Sequence, residues 1–434
     1  MARDTIFALS SGQGTSAVAV IRLSGSLSHK IITEITSGAL PAMRQLVRRD
    51  IVVQDQEVLD QAMVALFPDG HSFTGEEMAE IQCHGSPAIV REICRFLGSY
   101  DQCRGAEPGE FTQRAFQAGR MDLTEVEGLS ELIAAQTERQ RHEAMRLVQG
   151  EALQRTEEWR ADLIEALALL EVTIDWADEE VPEDVVPSVE SLLENLSGQL
   201  QAELDLVDHS EKLLYGFEVA IIGPPNVGKS TLLNALAGRE AAITSDIPGT
   251  TRDVIEVAYD LDGFPVRFLD TAGLRSTDDP IETEGVRRAL DRAIGADLRL
   301  FLNSPDTTDG GFAQDLWQPE DLTVHTKVDL SDSFNGIGVS AKTGAGLSEL
   351  TKRISEILEM RHQEFGLFGS ERRRVAIEKA RTDIATGYAN LKSREVEIIA
   401  EDLRAALRHL DSVIGRVGIE EVLGEVFSRF CLGK

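Results

Sequence analysis

The chain is 434 residues long, enough for about three domains of ordinary size, and its 42% hydrophobic content can fill several cores. Its 43 Lys and Arg against 74 Asp and Glu leave a net charge of −31, which argues against a surface that grips nucleic acid unaided, since affinity there comes mainly from neutralising phosphates. Four cysteines (Cys83, Cys94, Cys103, Cys431) with no C-x-x-C pairing speak against a disulfide framework or zinc site, and neither a signal peptide nor a membrane-length apolar run is visible. A cytoplasmic protein without membrane contact is expected.

The first 120 residues read as α+β. Ala17–Leu23, Ala62–Phe67 and Met78–Cys83 have strand character, and Ser86–Leu97 has a helical period. In the third strand Met78, Glu80 and Gln82 alternate with Ala79, Ile81 and Cys83, so Glu80 reads as a solvated carboxylate. Cys83 beside His84 would make half a metal site, but no second pair accompanies it. From about Leu123 to Leu214 apolar residues recur at helical spacing, interrupted by the acidic stretch Asp175–Glu180 with Pro182 and Pro187. Helical periodicity returns after Leu358 through Ala376–Leu391 and Ile398–Ile414, which makes the intervening region an insertion between helices. The short basic runs Arg48-Arg49 and Arg372–Arg374 read as solvated clusters.

The insertion opens with Val219–Ile222, an apolar run fit for a buried parallel strand, followed by Gly223-Pro224-Pro225-Asn226-Val227-Gly228-Lys229-Ser230-Thr231. This is G-x-x-x-x-G-K-[ST] between strand and helix. Its glycines let backbone N–H groups surround a phosphate at the positive end of the helix. Lys229 can reach the β- and γ-phosphates, and the Ser230 hydroxyl suits Mg²⁺.

Further motifs follow in the order a guanine-nucleotide switch requires. Ser245-Asp246-Ile247-Pro248-Gly249-Thr250-Thr251 leads a loop whose Thr251 can complete the Mg²⁺ shell while the γ-phosphate is present. Asp270-Thr271-Ala272-Gly273 ends a strand, with Asp270 able to hold Mg²⁺ through water and the Gly273 N–H able to sense the γ-phosphate. Thr326-Lys327-Val328-Asp329 resembles N-K-x-D with Thr for Asn. Asp329 can accept from guanine N1–H and N2–H₂, Lys327 can lie over the base, and Ser340-Ala341-Lys342 can add a donor to O6. The Thr in place of Asn removes an amide that would brace this loop. Leu274 stands where Ras-like proteins place a water-orienting Gln, so hydrolysis needs another device. A monovalent cation held by the Asn226 side chain, and Glu282 orienting the attacking water, are the two on offer; a plain surface glutamate is the alternative for Glu282.

The motifs G-P-P-N-V-G-K-S-T, I-P-G-T-T-R-D, D-T-A-G-L-R, S-F-T-G-E-E, P-G-E-F-T-Q-R-A-F and the terminal F-C-L-G-K resemble, nearly end to end, the tRNA-modifying GTPase family MnmE (TrmE). The resemblance implies a multidomain chain: an α+β folate-binding and dimerising domain (1–118), an all-α helical domain (119–214 and 359–434), and an inserted α/β P-loop GTPase domain of Ras-like type (215–358). It implies GTP hydrolysis to GDP and phosphate, and a homodimer acting with the flavoprotein MnmG (GidA). Together they would place a carboxymethylaminomethyl-type group on carbon 5 of the tRNA wobble uridine, drawing on a 5-formyl- or methylene-type tetrahydrofolate. By position, Asn226 and the carbonyls of Ser245, Ile247 and Thr250 would hold K⁺, and Ser230 and Thr251 Mg²⁺. Glu282 falls at the family's catalytic glutamate, Arg22, Glu80, Arg120 and Lys434 at its folate positions, and Cys431 at a C-terminal cysteine considered a catalytic thiol. Arg120 stands where relatives can carry Lys.

Two other readings compete. A regulatory GTP switch in ribosome or RNA assembly would be expected to end in a basic module, which the acidic helical tail is not. A folate enzyme with a vestigial nucleotide domain is opposed by the intact Lys229, Asp270 and Asp329.

Overall fold

The computed structural model describes residues 4–53, 57–175, 185–238, 242–243, 258–270, 291–306, 314–330, 334, 336–391, 396–417, 424, 426–428, 430 and 433. They fall into two compact units, Met1–Ser130 with Leu147–Ala161 and Leu407–Lys434, and Glu131–Arg146 with Asp162–Ala406.

The first unit is built on β1 (Thr5–Leu9), β2 (Ser16–Ser24), α1 (Ser28–Ile35), β3 (Val47–Val53), β4 (Glu57–Phe67), β5 (Met78–Gly85), α2 (Pro87–Leu97), β6 (Cys103–Gly105) and α3 (Glu110–Gln117). The strands form a six-stranded sheet in the order β3-β4-β5-β2-β1-β6. Each expected strand is present, the second beginning at Glu57 instead of Ala62, and Ser86 is the N-cap of α2. The strand alternation turns Ala79, Ile81 and Cys83 of β5, with Ile21 and Leu23 of β2, toward Ile31, Ile32 and Ile35 of α1 and Ile93 and Leu97 of α2. Burying each such side chain is worth about 1.5–3 kcal/mol, enough to fix which face of the sheet carries the helices. On the other face Met78 packs with Ile6, Ala8 and Phe111, and Arg22, Glu80 and Gln82 lie alongside.

Helices α4 (Leu123–Ala134), α5 (Glu138–Val148), α6 (Glu151–Asp175), α7 (Val186–Asp205) and α8 (Val207–Tyr215) follow. The second unit then continues through β7 (Phe217–Ile222), α9 (Lys229–Ala237), β8 (Ala242–Ile243), β9 (Ala258–Leu261), β10 (Phe264–Asp270), β11 (Leu298–Asn303), β12 (Leu322–Thr326), β13 (Ile337–Val339) and α10 (Leu347–Arg361). The chain closes with α11 (Glu371–Asn390) and α12 (Val396–Val413). Helices α7 and α11, from either side of the second sheet in sequence, pack against each other.

The second sheet runs β13-β12-β11-β7-β10-β9-β8, with β10, β7, β11, β12 and β13 mutually parallel. The apolar run of β7 is covered on both sides. Val219 and Ile221 join one core with Leu232, Leu236 and Ile354, while Ala220 and Ile222 join Ala293 and Ala296 in another. A strand hydrophobic throughout belongs in such a position.

Two sequence expectations need correction. The Arg372–Arg374 run is not a solvated cluster: Arg373 is buried, donating to Glu131 at 2.6 Å and to the N-cap Ser370 at 2.7 Å, and Arg374 bridges Glu371 and Glu378. Glu80 is not a free solvated carboxylate, because Arg22 lies opposite it in register and pairs with it. Cys83 and His84 point to opposite faces of β5, and burial pushes the Cys83 thiol up to about 11. No cluster of three metal-ligating side chains occurs among the described residues.

Candidate functional site

Strand β7 lies between β10 and β11, which is where the order of a parallel sheet reverses and a crevice opens at the carboxyl ends of the strands. The G-x-x-x-x-G-K-[ST] loop leaves β7 there. Gly228 is left-handed at φ 106°, a conformation that glycine adopts without strain, and it starts α9 with no acidic residue in the first turn. The first turn of α9 thus brings no carboxylate of its own to the positive end of that helix. Lys229 Nζ donates to the carbonyls of Gly223, at 2.7 Å, and Pro224, at 3.2 Å, so its ammonium is held across the loop. Val227 is buried, whereas Asn226 sits exposed at the crest with φ 66°. Ser230 and Thr231 follow in the first turn of α9.

The residues expected to read the base converge on the same edge. Thr326 ends β12, and its hydroxyl reaches two carbonyls, Val227 in the phosphate loop and Asn303 at the end of β11. The expectation that Thr in place of Asn leaves this loop unbraced is thus corrected: the hydroxyl makes the tie itself. Lys327, at φ 56°, donates to the Asn226 carbonyl and to Asp306, both at 2.9 Å. That bond holds the Asp306 carboxyl below the usual carboxylate range. The Ser340 hydroxyl donates to Asp329 Oδ1 at 2.7 Å and so turns the carboxylate. Ala341 and Lys342 occupy the tight turn that Ser340 closes with Gly344 and Ala345. Asp270 terminates β10, alongside the end of β7. Of the remaining nucleotide positions, Ser245, Asp246, Ile247, Pro248, Gly249, Thr250, Thr251, Thr271, Ala272, Gly273 and Glu282 lie outside the described residues.

In the first unit, Arg22 Nε donates to Glu80 Oε1 at 3.0 Å across β2 and β5. Arg120 follows α3 and donates to the Gly70 carbonyl at 3.3 Å instead of joining that pair. Cys431 and Lys434 lie outside the described residues, but Gly433 is placed, its carbonyl accepting from the Ser10 hydroxyl at 3.0 Å just beyond β1.

The sequence reading missed Asp306 and Asp60, the second of which holds His84. Each partner is distant in sequence, so only strand pairing brings it near. Among the described residues no helix is long and apolar enough to cross a membrane.

A family model described as "MnmE helical domain" matches residues 123–431, and one described as "GTP-binding protein TrmE N-terminus" matches residues 5–120. A protein of Cereibacter sphaeroides is 51% identical over 99% of this chain and 100% of its own length. Proteins of Roseobacter denitrificans and Dinoroseobacter shibae are each 48% identical over the same shares. All three carry the name tRNA modification GTPase MnmE. With family models over residues 5–120 and 123–431 and likeness along nearly the whole length, the chain belongs to the MnmE family of tRNA modification GTPases.

Proposed function

We propose that the chain is a K⁺-dependent GTP hydrolase that acts as a cytoplasmic homodimer with the flavoprotein MnmG to modify carbon 5 of the tRNA wobble uridine. The observation that carries the nucleotide part is the single edge on which Lys229 at the start of α9 and the Asp329–Ser340 pair are joined through Thr326 and Val227. The donor set fits the groups invoked. Ser230 offers a hydroxyl suited to Mg²⁺ and Asn226, at the exposed crest, a side-chain oxygen suited to K⁺; the reading adds Thr251 for Mg²⁺ and the carbonyls of Ser245, Ile247 and Thr250 for K⁺ by position in the sequence. K⁺ would supply positive charge against the phosphates during hydrolysis, and Glu282 would orient water.

Arg22, Glu80, Arg120 and Lys434 form the folate set of this reading, and Cys431 the thiol candidate. The Arg22–Glu80 pair can match a pteridine's mixed donors and acceptors, and Gly433 lies just beyond the end of β1. The four segments 1–118, 119–214, 215–358 and 359–434 remain our domain assignment. An acidic chain leaves much of the tRNA contact to the partner.

The deciding experiment is steady-state GTP hydrolysis in KCl and in NaCl at equal ionic strength. Stimulation by K⁺, lost in Asn226→Ala, is the expected result. Equal rates in both salts would remove the cation from the mechanism.

A further inference from the structure

Two residues other than glycine face each other in the left-handed region at the nucleotide edge, Asn226 at φ 66° and Lys327 at φ 56°. Such a backbone is strained in a residue that carries a Cβ, and it persists only where neighbouring contacts fix it. Here one ammonium makes those contacts. Lys327 Nζ donates to the Asn226 carbonyl and to Asp306 Oδ2, both at 2.9 Å.

Asp306 is itself held in place. It lies three residues beyond the end of β11, and its Oδ1 accepts from the hydroxyl of the buried Ser304 at 3.1 Å. One carboxylate oxygen is thus tied to its own loop and the other to the ammonium. A second tie runs alongside, from the Thr326 hydroxyl to the Asn303 carbonyl at 3.1 Å. The loop after β11 and the turn after β12 are therefore joined at two successive residues, Thr326 and Lys327. Without the Asp306 carboxylate, Lys327 keeps a single neutral acceptor at the crest. Its long stem then gains rotamer freedom, and water competes for the ammonium. Side-chain exposures of 31% for Lys327 and 51% for Asp306 make this a pair of modest strength, so what it supplies is orientation.

We propose that Asp306 is a positioning residue for the cation at Asn226: by anchoring the Lys327 ammonium it fixes the left-handed crest from which the Asn226 side chain reaches K⁺. The inference rests on the reading of Asn226 as a K⁺ ligand, and deepens it. Asp306 touches neither nucleotide nor cation in this scheme and acts through Lys327. The lysine whose stem would lie over the base thereby also supports the cation site, so the base-reading turn and the phosphate-loop crest share one anchor.

The test is steady-state GTP hydrolysis by the full chain as KCl replaces choline chloride at constant ionic strength, which yields a half-saturating K⁺ concentration and a maximal rate. Asp306→Ala is expected to raise the half-saturating concentration about threefold, the scale of a partly exposed ion pair, with the maximal rate and the urea midpoint staying near those of the parent. In a Lys327→Met background, which lacks the ammonium, Asp306→Ala should add nothing further. An unchanged half-saturation in Asp306→Ala, a loss confined to the maximal rate, or a full additional loss in the Lys327→Met background overturns the inference while leaving the K⁺ reading in place. A parent chain indifferent to K⁺ overturns that reading, and the inference with it.

Discussion

The guanidinium of Arg139 lies 4.1 Å from the ring centroid of Phe264, and the same side chain donates to Glu359 at 2.9 Å and to the Asp262 carbonyl at 3.4 Å. A residue of helix α5 thereby grips both the β9–β10 turn and the end of α10. Next to it, Gln140 donates to the carbonyls of Leu213 and Leu214, where the chain leaves α8 for β7. Clefts of about 500 Å³ and about 650 Å³ meet at Arg139, so the grip is made by few groups and each counts.

Arg139→Ala should therefore lower stability by about 1–2 kcal/mol, the sum of a cation–π contact and its hydrogen bonds. Arg139→Lys should recover little, since an ammonium cannot stack and bond in plane at once. Gly263 sits at φ 91° with Arg139 Cγ 2.8 Å from where a Cβ would be. Gly263→Ala should cost a similar amount, with part of the cost vanishing in the Arg139→Ala background. Urea unfolding of the two single variants and the double variant measures this directly. Strict additivity would show that the two residues do not meet as described.

Thr326 joins the base-reading loop to the phosphate loop through the Val227 carbonyl. Thr326→Val keeps the shape and removes the hydroxyl, leaving a buried carbonyl without its donor, a loss of about 1–2 kcal/mol. GDP affinity, read by fluorescence titration with a labelled nucleotide, should fall about tenfold. Thr326→Ser should stay near the parent. An unchanged affinity in the valine variant would mean that the loop is held by Lys327 and its bond to Asn226 alone.

In the proposed GTP site Asp329 would carry the choice of base, with Ser340 turning its carboxylate. Two hydrogen bonds from guanine to a charged acceptor are worth about 1.5–3 kcal/mol each, so Asp329→Ala should lose about a hundredfold or more in GTP affinity. ATP, which lacks both donors, should bind the variant about as poorly as the parent. Competition between the two nucleotides reads the ratio. A preference for GTP that survives the substitution would shift recognition to the Ser340–Lys342 turn.

What the sequence made legible divides by the range of the interactions. The phosphate loop, the strand leading into it and the helix after it are local, and contiguous residues suffice to read them. Alternation likewise assigned the buried face of β5, because Ala79, Ile81 and Cys83 repeat at the strand period. The misreadings are all pairings across strands or helices. Arg373 looked solvated because Glu131 is 242 positions away, and Glu80 looked free because Arg22 is 58 away. The partner of His84, Asp60, went unseen for the same reason, lying 24 positions back on β4. Thr326 shows a subtler limit: a departure from the N-K-x-D spelling kept the physical tie, because a hydroxyl reaches the same carbonyl.

Helix α10 ends on a buried histidine. His362 is 5% exposed, its ring 4.5 Å from that of His209 and 4.9 Å from that of Phe217, and its Nδ1 is buried without a hydrogen-bond partner. Burial, with His209 and Lys212 nearby, pushes its pKa down to about 4, against the opposing pull of Asp297. The ring is therefore neutral in the folded chain at any pH above that value. Unfolding returns it to water, where it takes a proton below about pH 6.5. Between those two values the unfolded state binds the extra proton, so stability must fall as pH drops from about 6.5 toward 4, and this contribution levels off below 4, where both states are protonated. His362→Phe retains the aromatic contact with Phe217 and removes the titration. Its urea midpoint should decline less steeply than that of the parent between pH 6.5 and 4.5, and parallel declines would mean that other groups carry the acid sensitivity of this joint.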